Sequence, residues 1–266
     1  MNAAGSAQTR IRTALARRPG PPHLVPYLMA GFPRRDDTVS LLLAAQAGGS
    51  ALVELGLPYS DPLADGPTIQ AAGQRALAGG MTVATALRQV QQARAEGLSV
   101  PLVVMTYLNP LLRMGLVEFC GLAVASGVDG VLVPDLPLEE AEELVAAAAS
   151  ADLGVITMVA PTTPDQRLAR AAALSTGFLY CVSRTGVTGG GSEDQEEGRQ
   201  LLLRARRLTD IPVALGFGVR RPEQIHSLAG LADAVVVGSV LLEAASEAAD
   251  PARAVGLALE RLRATN

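Results

Sequence analysis

Three observations on the sequence predict an α/β protein of the (β/α)8-barrel class. Eight short apolar runs alternate with helical stretches along the 266 residues. Most of these runs are continuous rather than alternating, which is typical of strands buried on both faces of a parallel sheet. The length suits one barrel, so we expect a single domain over residues 1–266. An open doubly wound sheet is the alternative that this pattern leaves open.

The strands and helices follow from local patterns in chain order. A short leading helix is expected where Ile11 and Leu15 stand at helical spacing. The predicted strands are residues 23–29, 51–56, 101–107, 129–134, 154–159, 177–183, 212–215 and 233–237. The predicted helices are residues 38–47, 67–77, 83–95, 111–124, 138–149, 164–174, 193–208, 222–228 and 251–263. Two helices fall between strands two and three, so this segment carries an extra helix. Pro67 and Gly79 mark the start and the end of the first of them.

Composition excludes several kinds of chemistry. All 22 basic residues are arginines, so a lysine Schiff base cannot form. Two histidines are too few for a typical histidine metal site. Two cysteines in a chain of this length indicate reduced thiols, and we expect a cytoplasmic protein. A net charge of −4 gives no basic footprint for nucleic acid. No apolar run reaches the roughly 18 residues of a membrane span.

The first 35 residues hold six arginines and no acid. An organellar transit peptide has this kind of composition. The spacing of Ile11 and Leu15 favours instead a helix that covers one end of the domain.

Three carboxylates stand in and just after the second strand. Glu54 alternates with Val53 and Leu55, so it should face the barrel interior. Poor solvation there raises the pKa of a carboxyl group, which suits a general acid or base. The alternative is that Arg184 pairs with Glu54. Asp61 and Asp65 lie on the following loop, where an Asp beside Pro or Gly often only caps a turn.

A glycine-containing loop follows each of the last two predicted strands. Strand seven runs into Gly216 and Gly218, and strand eight runs into Gly238 and Ser239 at the start of a helix. Backbone N–H groups at a helix start can bind an anion, and barrels commonly bind phosphate at this place. These glycines could also serve only as tight turns.

Residues 183–198 form a glycine-rich loop after strand six. Such a loop could close over a substrate and exclude water, with Arg184 and Thr188 as the polar groups it brings. A flexible connection without a role is the alternative.

Several segments carry a family resemblance. The stretch ELGLPYSDPLADGPTIQ at residues 54–70 resembles the long, specific motif of the tryptophan synthase alpha chain family. Five further segments fall in that family's order and spacing: MTYLNP at 105–110, VLVPDLP at 131–137, SRTGVTG at 183–189, GFG at 216–218 and GS at 238–239. The resemblance covers nearly the whole chain, from about residue 24 to its end.

The resemblance implies a TIM barrel that cleaves indole-3-glycerol phosphate to indole and glyceraldehyde 3-phosphate by a retro-aldol reaction, without metal or cofactor. It implies that Glu54 is the general acid–base and that Asp65 holds the indole N–H, with Tyr180 lining the same site. Thr188 would reach Asp65 when the loop closes. The implied phosphate-binding residues are Gly189, Gly218, Gly238 and Ser239. The implied walls of the indole pocket are Tyr27, Ile69, Met105, Leu132 and Phe217.

The resemblance also implies a partner, a pyridoxal-phosphate beta chain in an α2β2 complex. Residues 57–64, 109–110 and 134–136 correspond to the surface that meets it. Two departures stand out, since Phe178 replaces a frequent tyrosine and residues 189–191 are unusually rich in glycine.

Three rival functions remain open. The first is a free-standing indole-3-glycerol phosphate lyase that needs no beta chain. The second is an inactive barrel kept as an allosteric binding module, although Glu54 and Asp65 are intact. The third is another phosphate-binding barrel enzyme, a group that lacks the long carboxylate loop after strand two.

Overall fold

The computed structural model describes residues 6–182, 192–216 and 218–264. Over these residues eight parallel strands form a closed barrel in which each strand pairs with the next and the eighth pairs with the first. The (β/α)8 barrel is therefore confirmed, and the open sheet is wrong. The strands are β1 His23–Met29, β2 Val53–Gly56, β3 Leu102–Met105, β4 Gly130–Leu132, β5 Gly154–Val159, β6 Leu179–Val182, β7 Val213–Gly216 and β8 Ala234–Val237.

Helices surround the barrel and cover one of its ends. In the described part of the chain they are α1 Ala7–Ala14, α2 Thr38–Ala47, α3 Pro67–Ala78, α4 Val83–Ala95, α5 Leu108–Met114, α6 Leu116–Ala125, α7 Glu142–Ala151, α8 Asp165–Leu174, α9 Ser192–Leu208, α10 Pro222–His226, α11 Ser239–Ser246 and α12 Pro251–Arg263. The extra helix after strand two is confirmed, because α3 and α4 both precede β3. The leading helix is confirmed as α1.

Two predicted helices have a different form. The single helix expected over 111–124 is wrong, since Gly115 takes a φ of +93° and separates α5 from α6. This backbone conformation suits glycine and cannot continue a right-handed helix. The helix expected over 138–149 begins as a 3-10 turn at Leu138–Glu140, and α7 starts only at Glu142.

Helix α1 closes the N-terminal end of the barrel. Its Ile11 is fully buried against three glycines that stand at the starts of β4 and β5 and just before β6. A Cβ atom at Gly130, Gly154 or Gly177 would come within 3.1, 3.1 or 2.9 Å of the Ile11 side chain. These glycines therefore leave the space that the isoleucine fills.

A buried aspartate ties α1 to the start of β4. Asp129 accepts hydrogen bonds from Arg10 Nε at 2.6 Å and Arg94 Nη2 at 2.8 Å. It also accepts one from the backbone N–H of Leu102 at 2.8 Å, where β3 begins. Arg94 Nε in turn donates to the carbonyl of Gly127 at 2.9 Å.

The same arrangement recurs half a barrel away, at the start of β8. Asp233 accepts from Arg17 Nε at 3.2 Å, Arg206 Nη2 at 2.8 Å and the backbone N–H of Val213 at 2.9 Å. Arg206 Nε donates to the carbonyl of Leu231 at 2.6 Å. The N-terminal end of the barrel therefore carries two similar aspartate sites, one at the start of β4 and one at the start of β8.

Within the described ranges, no single helix has both the length and the apolar character needed to cross a membrane. The pair α5 and α6 reaches the required composition and length only when taken together, and a bend of 95° separates them.

Candidate active site

Strand β2 carries Glu54 into the barrel interior. Tyr27 on β1 and Val103 on β3 are its register partners, so the three side chains share the inner face. Glu54 is only 1% exposed, and neither carboxyl oxygen has a hydrogen-bond partner among the described residues. Burial, together with the nearby charge of Asp65, raises the pKa of Glu54 to about 8. The alternative partner, Arg184, lies outside the described residues.

The loop after β2 directs Asp65 toward the same space. Asp65 is 4% exposed, and its Oδ1 atom has no hydrogen-bond partner among the described residues. Burial raises the pKa of Asp65 to about 6, while a hydrogen bond with the Tyr107 side chain acts in the opposite direction. The Asp65 carboxylate thus bonds a phenol across the site rather than only capping its own turn. Asp61, by contrast, is exposed.

Three buried tyrosines surround the two carboxylates. Burial raises the pKa of Tyr27 and of Tyr180 well above its ordinary value, and the charges of Asp65 and Glu54 raise each further. Tyr107, which the sequence did not single out, has its pKa raised by burial and by Asp65. Its signal was present, because Tyr107 continues the inward alternation of Val103 and Met105 beyond the end of β3.

Two strand-end glycines make room for these phenols. A Cβ atom at Gly56 would lie 2.1 Å from the Tyr27 hydroxyl oxygen, and one at Gly216 would lie 2.1 Å from the Tyr180 hydroxyl oxygen. Real atoms do not approach so closely, so both positions need a residue without a side chain.

The loop after β8 meets Tyr27, the register partner of Glu54. A Cβ atom at Gly238 would be 3.2 Å from Tyr27 Cβ, which places this glycine against the wall of the site. Ser239 is the first residue of α11, where backbone N–H groups have no partner within the helix. Gly218 follows β7 with a φ of +81° and open space where a side chain would stand. Gly189, the fourth predicted phosphate residue, lies outside the described residues.

Apolar side chains line the inner face next to these groups. Tyr27, Met105 and Leu132 are buried, and Ile69 is partly buried against the core. Gly56, Met105 and Leu132 are successive register partners across β2, β3 and β4, so they share one level of the barrel. The structure thus brings the two carboxylates, Tyr180 and most of the predicted walls to one mouth. Arg184, Thr188 and Phe217 lie outside the described residues.

The described residues include no group of three or more His, Cys, Asp or Glu side chains that could hold a metal ion.

Together, the fold and the site define a parallel (β/α)8-barrel enzyme with two buried carboxyl groups at its C-terminal mouth. A family model described as tryptophan synthase alpha chain matches residues 14–264. The chain belongs to the tryptophan synthase alpha chain family. The family is one of lyases and acts in tryptophan biosynthesis.

Curated relatives and solved structures agree with the family model. The tryptophan synthase alpha chain of Chloroflexus aggregans is 46% identical over 88% of this chain and 87% of its own length. That of Carboxydothermus hydrogenoformans is 47% identical over 85% of each chain. A structure of the tryptophan synthase α2β2 complex from Pyrococcus furiosus contains a similar chain, with a TM-score of 0.85 and 40% identity over 92% of this chain and 99% of that one. A structure from Aquifex aeolicus has a TM-score of 0.87 and 34% identity over 96% of this chain and 97% of that one.

Proposed function

We propose that this chain cleaves indole-3-glycerol phosphate to indole and glyceraldehyde 3-phosphate, with Glu54 and Asp65 as the reacting carboxyl groups. One observation carries the proposal. The two groups are buried side by side, and their pKa values are raised to about 8 and about 6. At neutral pH Glu54 is therefore mostly protonated and Asp65 mostly ionised. Two carboxyl groups with separated pKa values are typical of an acid and a charge stabiliser in one site.

The first step uses both groups. Protonated Glu54 gives its proton to carbon 3 of the indole ring, and positive charge develops on the ring nitrogen. The ionised Asp65 accepts a hydrogen bond from the indole N–H and stabilises that charge. A carboxylate in a site of low polarity does this strongly, because little water screens it.

The second step breaks the carbon–carbon bond. Glu54, now a carboxylate, takes the proton of the glycerol hydroxyl next to the ring. The electrons of that O–H bond form the aldehyde carbonyl, and the electrons of the breaking bond return to the indole ring. Indole and glyceraldehyde 3-phosphate result, and Glu54 is protonated again. A positioned acid–base group of this kind typically contributes about 10²–10⁴ in rate.

Binding away from the reacting bond would align the substrate. We assign the phosphate to the loop glycines Gly218 and Gly238 and to Ser239, with Gly189 as a further contact. We assign the indole ring to the wall formed by Tyr27, Ile69, Met105, Leu132 and Phe217, with Tyr180 on the far side. Energy from such remote contacts can hold the reacting carbon close to Glu54. Arg184 and Thr188 belong to the loop that we expect to close over the site.

Substitution of the acid tests the proposal. Glu54→Gln keeps the size of the side chain but cannot exchange a proton, so indole release from indole-3-glycerol phosphate should fall by at least about 10²-fold. The substrate should still bind, as measured by calorimetry. The matched control is Glu260→Gln, which changes an exposed acid on α12 and should leave the rate unaltered. Indole release by Glu54→Gln at the parent rate would refute the proposed function.

We further propose that the chain works with a beta chain that accepts the indole. The similar chain from Pyrococcus furiosus stands in an α2β2 complex. In this protein the loop over residues 57–64 carries Leu63, which is 78% exposed, while Asn109 stands in the first turn of α5 and Asp135 on the loop after β4. We place the contact with the beta chain on this surface.

Size-exclusion chromatography with the beta chain of a relative tests this partner. We expect co-elution and faster indole release in the mixture, and Leu63→Asp should weaken both. If the parent chain elutes alone and its turnover does not change, the free-standing lyase is the better assignment. We also place the protein in the cytoplasm, which agrees with the free state of its buried thiols, Cys120 and Cys181.

A further inference from the structure

Two loops at the C-terminal mouth meet at the hydroxyl group of Tyr107. The ring of Tyr107 is 3% exposed and lies just before α5. Its hydroxyl oxygen accepts a hydrogen bond from the backbone N–H of Ala64 at 3.1 Å. Asp65 is the next residue, and its carboxylate lies near enough to this hydroxyl for a hydrogen bond that acts to lower the pKa of Asp65. The group therefore fixes two consecutive residues of the loop after β2.

The ring of Tyr107 is itself held by neighbouring loops. It stacks on Tyr59, with the ring centroids 5.1 Å apart and the planes inclined by 29°. Asn109 Nδ2 donates to the Tyr59 hydroxyl at 3.2 Å, and the backbone N–H of Leu108 donates to Asp135 Oδ1 at 2.9 Å. The hydroxyl of Tyr107 thus has little freedom to move away from Asp65.

We propose that Tyr107 is a positioning residue for the reaction: its hydroxyl holds Asp65 so that Oδ1 stays directed at the indole N–H. The inference rests on the proposed function, because it acts through Asp65. The Oδ1 atom has no hydrogen-bond partner among the described residues, so it is available to a ligand. Fixing the other end of the carboxylate removes rotational freedom that the substrate would otherwise have to restrict.

Charged and titratable groups around Asp65 give this role a pH signature. Glu54 faces it from β2, Tyr27 from β1 and Tyr180 from β6, while Asp135 acts on Tyr107 from the loop after β4. Among them the Tyr107 hydroxyl is the group that donates to Asp65 and favours its ionised form. Without that hydrogen bond the pKa of Asp65 should rise further, so the ionised form would require a higher pH.

Tyr107→Phe tests the proposal, because phenylalanine keeps the ring and its stack on Tyr59 but lacks the hydroxyl. We expect kcat for indole release to fall about tenfold, as for the loss of one hydrogen bond to a charged group, while KM changes little. We also expect the acidic limb of the kcat profile, measured between about pH 5 and pH 9, to move to higher pH. An unchanged acidic limb, even with a lower unfolding midpoint, would mean a purely structural role and would overturn the proposal.

A second variant covers the case in which Tyr107→Phe does not fold. Tyr59→Leu removes the stacking ring from a half-buried loop position and keeps the Tyr107 hydroxyl. The acidic limb should move in the same direction by a smaller amount, and an unmoved limb would count against the proposal. Glu54→Gln and Asp65→Asn are assayed in parallel. If those two stay active, the proposed function fails; if they are inactive and the acidic limb of the tyrosine variants is unchanged, only the role of Tyr107 fails.

Discussion

Glu54 is a costly residue for a strand. Its carboxyl group is fully enclosed, and the described residues offer it no hydrogen bond or cation. Burying an unpaired ionised carboxylate is strongly unfavourable, so the group holds its proton instead. A side chain placed there for stability alone would be apolar, which is why we interpret Glu54 as functional.

The pH dependence of stability should show this cost. Burial raises the pKa of Glu54 from 4.5 to about 8 in the folded protein, so the folded state binds the proton more tightly than the unfolded state. The contribution of this proton to stability is complete below about pH 4.5 and is lost as pH rises through about 8. We therefore compare the free energy of unfolding of Glu54→Gln with that of the parent at pH 5 and at pH 8.5. The difference in favour of the variant should be larger at pH 8.5, by on the order of a few kcal/mol.

Urea denaturation at the two pH values measures the difference. Glu260→Gln is the control, and its free energy of unfolding should follow that of the parent at both. Asp65, whose pKa burial raises to about 6 in the parent, is present in all three proteins, so the comparison isolates the change at Glu54 or Glu260. A Glu54→Gln gain that is the same at pH 5 and pH 8.5 would contradict the expected titration.

The sequence identifies residues of the candidate site more readily than it predicts their contacts. Glu54 and Asp65 stand out because acids are rare in an apolar strand and its loop. Tyr107 did not stand out, because a tyrosine after an apolar strand is ordinary core material. Its importance comes from Ala64 and Asp65, which are distant in sequence and meet it only in the folded chain.

At the scale of elements, local sequence patterns predicted the bounds of several strands and helices well. The bounds of β1, β5, α2, α4 and α12 match the predicted ranges, because apolar runs, helical periodicity and Gly or Pro mark their ends. The failure at 111–124 has a physical cause. Helical periodicity continues across Gly115, and only the φ of +93° that the glycine adopts reveals two helices.

The sequence also did not predict the ion pairs between elements. Asp129 is a single acid at the start of a predicted strand, and its three donors come from α1, α4 and the start of β3. Nothing local links these segments. The closed barrel brings them together, and the buried carboxylate then satisfies two arginines and one backbone N–H.

Removal of this carboxylate gives an element-scale prediction. Asp129→Ala should lower the free energy of unfolding by about 3 kcal/mol, because it leaves the positive charge of Arg94 without its carboxylate partner and leaves Arg94 Nη2 and the Leu102 N–H without their acceptor. The control is Asp165→Ala, whose side chain is 67% exposed in its pair with Arg204 and should contribute less than about 1 kcal/mol. Urea denaturation measures both. A loss for Asp129→Ala no larger than that of the control would show that this contact does not hold α1 in place.

At the scale of the whole molecule, barrel closure is what converts separate motifs into one site. The order of apolar runs was enough to predict eight parallel strands, and parallel strands place all their C-terminal ends at one mouth. The distance from β1 to β8 along the chain is therefore no obstacle to contact between Tyr27 and Gly238. The register that sets this contact depends on how eight strands close, which no single segment encodes.

The two halves of the barrel, β1–β4 and β5–β8, contribute different groups to its mouth. Both carboxyl groups that we propose to react, and the Tyr107 phenol that we propose to position Asp65, come from the first four strands or the loops after them, whereas Gly218, Gly238 and Ser239 follow the last two. A substrate in this site would span the seam between the halves, with its ring in one and its phosphate in the other. A small displacement of one half of the barrel relative to the other would then change the distance between the phosphate site and the carbon–carbon bond that is cleaved. Catalysis would therefore depend on how rigidly the two halves are held together, although no reacting group takes part in those contacts.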